Sequence, residues 1–500
     1  MTARSLMVQG TMSGVGKSLL VAGLARVFYQ DGLSVAPFKS QNMALNSAIC
    51  ADGSEIGRAQ AVQALAAHVE PEVAMNPILL KPTTDTGSQV IINGHVLDTM
   101  NAKDYFAYKR QLVPTIQAAY DNLAARFDVV VIEGAGSPAE VNLKQDDIVN
   151  MGMAKMAAAP VLLVGDIDRG GVFAQLLGTL MLLDEDERNM VKGLVVNKFR
   201  GDKTILDPGL DILCKRSGLP IAGVVPYAPL DIDDEDSLSE RFHARTCDAL
   251  IDIAVIRLPK ISNFTDLIAL SQVEGVGVRY VANPHDLGSP DLIVIPGTKA
   301  TLADLTWLRE CGLEAAILRQ ASLQTPIFGI CGGYQMLGER IVDPDGCEGG
   351  GSLRGMGLLP THTVFEQEKC QVRSHGILLR VEGDLAQLTG ASVAGYQIHM
   401  GRTTRTGGKP LCLLDGKEGA LEDGCQQDNV YGCYLHGIFD SAEVSRALVE
   451  ALLARKGLDI GTIRTRNASE YQEEQLDLLA QLVRQNMDMD LVYKVLEQGL

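Results

Sequence analysis

Ser5-Leu6-Met7-Val8-Gln9-Gly10-Thr11-Met12-Ser13-Gly14-Val15-Gly16-Lys17-Ser18 is a short apolar run, a glycine-rich loop and the first residues of a helical pattern that continues to Gln30. A phosphate-binding loop needs this order. Glycines let backbone N–H groups turn inward around an anion, a lysine reaches the outer phosphates, and a hydroxyl is available to Mg²⁺. Thr11, Gly14, Gly16, Lys17 and Ser18 therefore form a candidate ATP site. Thr11 stands where the strict pattern has glycine, with glycines at 10 and 14 instead.

Outward from this loop, short apolar runs alternate with helical patterns as far as residue 230. Ser34–Phe38, Phe127–Ile132, Pro160–Val164, Gly193–Asn197 and Ile221–Val225 read as strands. Continuous apolar runs separated by helices predict a parallel sheet covered on both faces. The acidic stretch Asp231–Asp236 closes this rhythm, which restarts at Ile253–Arg257, Asp291–Ile295 and Pro326–Ile330. A run at Gly376–Val381 follows, then helical stretches at Val444–Lys456 and Glu470–Leu496. The expected organisation is a nucleotide domain over 1–232, a linker over 233–250, a second α/β domain over 251–443 and a helical tail over 444–500. A chain of 500 residues is long for a single core.

Composition narrows the class. Hydrophobic residues make up 46%, and 44 basic against 62 acidic residues give a net charge of −18. That balance opposes broad binding to nucleic acid or anionic membranes. No signal-peptide core precedes Gly10 and no apolar run is long enough to span a bilayer. The ten cysteines include no C-x-x-C pair, which fits reduced thiols. A cytoplasmic enzyme is expected; oligomeric state is not readable.

Further chemistry sits at strand ends. Glu133 ends the 127–132 run and is placed to hold Mg²⁺ with Ser18, directly or through water. Asp166 and Asp168 follow another strand. Asn197-Lys198 follows a third and reads either as a contact to an adenine edge or as a surface turn. Lys39 and Asn42, after the second strand, suit a carboxylate or acyl-phosphate substrate, Asp52, Glu55, Arg58 and Gln60 continue that polar wall, and Asp52 joins Ser18 and Glu133 as a candidate metal ligand. In the second half, Gly329-Ile-Cys331-Gly332-Gly333 reads as a strand–turn–helix elbow that exposes a nucleophile beside backbone N–H groups. A buried, inert thiol is the alternative. His436, in Tyr434-Leu-His-Gly437, is the favoured partner and His399 the rival. Gly297 and Thr298, in Pro296-Gly-Thr-Lys299, with Gly332, are candidates for the oxyanion and glutamine site.

With these motifs in view, the second half resembles class I (triad-type) glutamine amidotransferases. The first half resembles dethiobiotin-synthetase-like P-loop ATPases, which share the Gly-Thr-x-x-x-x-Gly-Lys-Ser/Thr variant. Together they resemble, almost end to end, the cobyric acid synthase family of cobalamin biosynthesis. The specific segments are Lys39-Ser-Gln-Asn-Met43, Glu55-Ile-Gly-Arg-Ala-Gln60, Glu133-Gly-Ala-Gly-Ser-Pro-Ala-Glu140, Gly165–Phe173, Asn197-Lys-Phe-Arg-Gly201 and Pro296–Thr301. The resemblance implies ATP- and glutamine-dependent amidation of the b, d, e and g carboxylates of the corrinoid adenosylcobyrinic acid a,c-diamide. The related cobyrinic acid a,c-diamide synthases typically continue Lys-x-Gly-Pro-Asp after the second strand, unlike Lys39-Ser-Gln-Asn-Met43. Triad-type amidotransferases usually carry a Glu two residues after the histidine; here that position is Ile438, which leaves the orienter of His436 open, with Asp440 as one substitute.

Overall fold

The computed structural model describes residues 3–83, 87–232, 249–416, 419–458 and 468–500. The expected linker at 233–250 lies outside the described residues except for 249 and 250.

A six-stranded, all-parallel sheet forms the first core. Its order is Ile221–Pro226, Val191–Phe199, Val161–Asp166, Arg4–Gly10, Val129–Glu133 and Val35–Phe38. The strands are largely apolar and most are rich in Val, Ile and Leu because both faces are covered, and alternate side chains enter opposite layers. Leu6, Val8, Val129, Val131, Leu162 and Val164 pack with the Lys17–Gln30 helix. Met7, Val130, Ile132, Val161 and Leu163 face the other way, toward the Val113–Ala124, Met151–Met156 and Val172–Leu182 helices. The Arg4–Gly10 strand is central, so its neighbours place Glu133 and Asp166 on either side of the glycine loop.

The second core is another sheet, ordered Val276–Val281, Ile251–Ile256, Leu292–Ile295, Ile327–Ile330, Val430–Cys433 and Cys425–Gln427. All pairs are parallel except the last. Beside it stands an antiparallel ribbon of two long strands, Thr361–Leu378 and Ser392–Arg405. The Gly376–Val381 run therefore continues as strand only to Leu378, the end of a far longer element.

Sequence periodicity places helices near the C-terminus but not their destinations. Ala442–Arg455 packs into the second core through Val444, Leu448 and Leu452. Beyond it the chain returns to the first core, where Ala480, Val483, Val492 and Leu496 cover the Lys17–Gln30 helix and sheet. The expected continuous stretch 470–496 is two helices, Ala468–Asn486 and Met489–Gln498. They are divided at Met487, which bridges to Gly223, and at Asp488, which caps the second helix through Leu491 N. Among the described residues no helix is long and apolar enough to cross a membrane.

The two cores meet along a small hairpin, Ser47–Ile49 with Glu55–Gly57, which lies against the ribbon. Arg373 Nε donates to Ile49 O at 2.8 Å, and Gln371 Nε2 to Glu55 Oε2 at 3.0 Å. Ile49, Tyr396 and Ile398 form a shared apolar cluster.

Candidate active site

The glycine loop follows its strand directly. Gly14 and Gly16 are left-handed, at φ 71° and 91°, and a Cβ on Gly16 would stand 2.3 Å from Asn197 Nδ2. Glycine is required there by conformation and by space. Lys17 Nζ donates to Met12 O (3.0 Å) and Gly136 O (3.2 Å), while Thr11 Oγ1 donates to Gln175 Oε1 (3.1 Å). Asn197 and Lys198 also reach this loop, at its backbone. Asn197 Nδ2 donates to Val15 O at 2.8 Å and Lys198 Nζ to Gly14 O at 2.7 Å. Lys198 also pairs with buried Asp166 at 3.2 Å. In this arrangement the Asn197-Lys198 pair braces the loop from outside.

Glu133 gathers the other candidates. It is 1% exposed, and its Oε1 accepts from Ser18 Oγ (2.8 Å) and Lys39 Nζ (2.7 Å). Its Oε2 accepts from Gln63 Nε2 (2.6 Å) and Gln60 Nε2 (3.3 Å). Asn42 Nδ2 joins the set by donating to Gln60 Oε1 at 3.0 Å. A buried carboxylate and a hydroxyl at the loop's lysine end are hard oxygen donors that fit Mg²⁺. Asp52 does not belong to this group. It sits in the exposed turn of the 47–57 hairpin, where its Oδ1 accepts from Ser54 N (2.9 Å) and Ser54 Oγ (2.5 Å). The turn directs Asp52 outward although its chain neighbour Glu55 points in, so the expectation of a metal ligand there is corrected.

On the other core, Cys331 lies between the Ile327–Ile330 strand and the Gly332–Leu337 helix with φ 52° and ψ −109°. A non-glycine residue in this region is strained, and such strain concentrates at functional sites. The flanking glycines are needed for close approach. A Cβ on Gly333 would lie 1.9 Å from Ile295 O, and one on Gly332 would lie 2.8 Å from Thr298 Cγ2 and 3.1 Å from Thr298 N. The Pro296–Lys299 loop is thus pressed against the elbow, where the first N–H groups of the 332–337 helix have no intrahelical partner. Thr298 Oγ1 is engaged with Lys260 O (3.0 Å) and Asp304, so this residue holds the loop with its side chain.

His436 follows the adjacent Val430–Cys433 strand and is 1% exposed. Its Nδ1 is 2.7 Å from Asp266 Oδ2, and Asp266 Oδ1 accepts from Gly437 N at 3.0 Å. Burial opposes the imidazolium, but Asp266 and the Cys331 sulfur outweigh it and raise the His436 pKa to about 10. With Nδ1 on Asp266, Nε2 remains for Cys331, the division of labour of a Cys–His–acid triad. Space is tight here also: a Cβ on Gly297 would lie 2.9 Å from His436 Cε1, and one on Gly395 would lie 1.9 Å from His436 O. The Tyr396 ring stacks on His436 with centroids 5.2 Å apart. The rival, His399, is held by Gly401 O at 2.7 Å and stacked on Tyr434 at 3.6 Å. Burial lowers its pKa to about 4, so it is neutral at pH 7, and among the described residues its ring nitrogens meet Gly401 O and Gln397 Oε1 rather than a carboxylate.

Sequence reasoning missed Gln63, beside Glu133, and Asp266; the second of these matters more for Cys331. Asp266 lies in the Phe264–Leu267 turn beyond the Ile251–Ile256 strand, and a polar cluster at a strand's C-terminal end was its only local signal. The cavity at Cys331 is lined by Thr298, Lys299, Gln335, Glu348, Lys369 and, from the first core, Lys81.

Comparison with known proteins places both halves. Residues 6–237 match the CobQ/CobB/MinD/ParA nucleotide binding domain, and residues 252–444 the CobB/CobQ-like glutamine amidotransferase domain. The chain is 55% identical to a cobyric acid synthase of Ruminiclostridium cellulolyticum, over 100% of this chain and 98% of that protein. It is 54% identical to one of Lachnoclostridium phytofermentans, over 100% of both, and 50% identical to one of Citrobacter koseri, over 99% of both.

Proposed function

The chain belongs to the cobyric acid synthase family of glutamine-dependent ligases, and from that premise we propose that it amidates the b, d, e and g side-chain carboxylates of adenosylcobyrinic acid a,c-diamide with ATP and glutamine. In this reading residues 1–232 are the amidoligase unit and 251–443 the glutaminase unit. The observation that carries it is the composite wall of the Cys331 cavity, where Lys81 of the nucleotide-binding half stands beside Lys369 and Glu348 of the other. Ammonia released at Cys331 thereby emerges against the domain that holds the phosphate loop.

Cys331 Sγ attacks the glutamine side-chain carbonyl carbon, and backbone N–H groups around Gly297, Thr298 and Gly332 receive the oxyanion. His436 Nε2 passes the proton to the departing nitrogen, giving ammonia and a thioester that water converts to glutamate, while Asp266 keeps the imidazole oriented. In the first domain Lys17 and Lys39 neutralise the γ-phosphate as it moves to a substrate carboxylate, releasing ADP. Ammonia attacks the acyl phosphate, the C–O bond breaks and phosphate leaves. Ser18 and Glu133 would hold Mg²⁺, which supplies charge neutralisation for the phosphates. Shelter at the domain junction keeps ammonia unprotonated and nucleophilic.

The test is incubation with adenosylcobyrinic acid a,c-diamide, ATP and glutamine, followed by mass spectrometry. Successive replacement of carboxyl OH by NH₂ is expected; an unchanged corrinoid would refute the substrate assignment. Cys331→Ala should lose glutamine use and keep amidation from high concentrations of free ammonia.

A further inference from the structure

One short helix touches both candidate centres. Arg58–Ala66 carries Gln60 and Gln63, whose amides bond Glu133 Oε2 beside Ser18. At its first residue the same helix crosses to the other core. Arg58 Nη2 donates to Thr265 Oγ1 at 3.1 Å and to Tyr396 OH at 3.2 Å, and its guanidinium carbon lies 5.7 Å from the Tyr396 ring centroid. Both recipients adjoin the histidine. Thr265 precedes Asp266, which holds His436 Nδ1, and Tyr396 stacks on the imidazole while exchanging backbone hydrogen bonds with His436 at 3.1 and 2.9 Å. The preceding segment makes a parallel contact, Ser47 N to Asn263 Oδ1 at 3.0 Å.

We infer that Arg58 is a positioning residue for the Cys331–His436–Asp266 set, and that the 58–66 helix transmits the state of the Glu133 cluster to it. This rests on the proposed glutaminase and ATP sites. Any ligand that draws Glu133 away from Gln60 and Gln63 changes what holds the helix two and five residues beyond Arg58. A helix of nine residues is rigid on that scale, so Arg58 moves with it, and with Arg58 the Tyr396 ring and the Thr265–Asp266 turn. The consequence is that glutamine hydrolysis responds to loading of the first domain, which limits wasted ammonia.

The experiment uses full-length protein. Glutamine hydrolysis is measured with and without ATP plus adenosylcobyrinic acid a,c-diamide, alongside the rate at which iodoacetamide alkylates Cys331 with no nucleotide present. Wild type is expected to hydrolyse faster when loaded, by a factor in the range of about 5 to 150 typical of coupled sites. Arg58→Met is expected to bring that factor to about one. It should also lower kcat with KM for glutamine unchanged and slow the alkylation, and reduce glutamine-driven amidation far more than ammonia-driven amidation. Tyr396→Phe keeps the ring over His436, removes only the hydroxyl, and should reduce the factor even if Arg58→Met folds poorly. Wild-type stimulation in Tyr396→Phe and Arg58→Met, a wild type indifferent to loading, or equal loss of ammonia-driven amidation in both variants overturns the inference. The underlying reading fails separately, by a wild type that hydrolyses no glutamine or a Cys331→Ala that still does.

Discussion

Asp266 Oδ2 lies 2.7 Å from His436 Nδ1 although the two residues are 170 positions apart. They meet because parallel strands deliver their following loops to one edge: Asp266 after the 251–256 strand, Cys331 after 327–330, His436 after 430–433. This supplies the acid missing at Ile438 from a different part of the fold, and His436 is held by Asp266 rather than by Asp440.

Asp266→Asn keeps the side chain's shape and removes its charge. Glutamine-dependent activity should fall by about 10²- to 10⁴-fold, as expected when a triad acid no longer enforces the imidazole tautomer. Amidation driven by free ammonia is the control. Full glutaminase activity in this variant would remove Asp266 from the mechanism.

The same pair has a signature in stability. The folded His436 pKa is raised from 6.5 to about 10, so its protonation stabilises the fold fully below pH 6.5, and that contribution disappears as pH rises through about 10. His436→Gln should therefore cost about 1.5–3 kcal/mol at pH 6, the range for a charged hydrogen bond, with the gap to wild type narrowing toward pH 10. Urea titrations at several pH values check this; a gap that widens with pH would contradict the assignment.

Glu133 supports a buried lysine. Glu133→Gln removes the carboxylate that Lys39 Nζ meets at 2.7 Å, and breaking a buried pair in this way costs about 3–5 kcal/mol. Ammonia-driven amidation, which needs only the first domain, should be lost, and thermal unfolding should move down.

The domain junction has a comparable pair. Glu55 is fully buried and contacts Lys81, Lys369 at 2.5 Å and Gln371 at 3.0 Å. Burial raises its pKa, but the two ammonium groups outweigh this and hold it well below the usual carboxylate range. Its contribution is therefore present above the ordinary carboxylate pKa and is lost as pH falls. Glu55→Gln should destabilise by about 3–5 kcal/mol at neutral pH, and less in acid, by differential scanning fluorimetry.

The strands and the phosphate loop were legible because an apolar run flanked by glycine has one physical use in a covered parallel sheet. Cys331 and His436 were legible for the same reason: each stands beside glycines that backbone crowding demands. Asp266 was not, because its partner is chosen by strand order, which no local pattern encodes. Asp52 was misplaced because closeness to Glu55 in sequence says nothing about which way a hairpin turn points. The C-terminal helices showed their amphipathic pattern, but a pattern names a buried face without naming what buries it.

That last gap yields a prediction at Gly23, inside the Lys17–Gln30 helix. Replacing glycine by alanine in a helix interior normally gains about 1 kcal/mol. Here a Cβ would stand 2.6 Å from Val483 Cγ2 and 3.2 Å from Leu479 Cγ on the returning 468–486 helix. Val483 is fully buried and β-branched, so it cannot swing aside, and overpacking of this kind costs about 1–3 kcal/mol. The clash should win, and Gly23→Ala should be destabilised in urea. Adding Val483→Ala removes the offending methyl groups, so the double variant should be more stable than the sum of the two single effects. Strict additivity would mean that the C-terminal helix does not seat against Gly23 in solution.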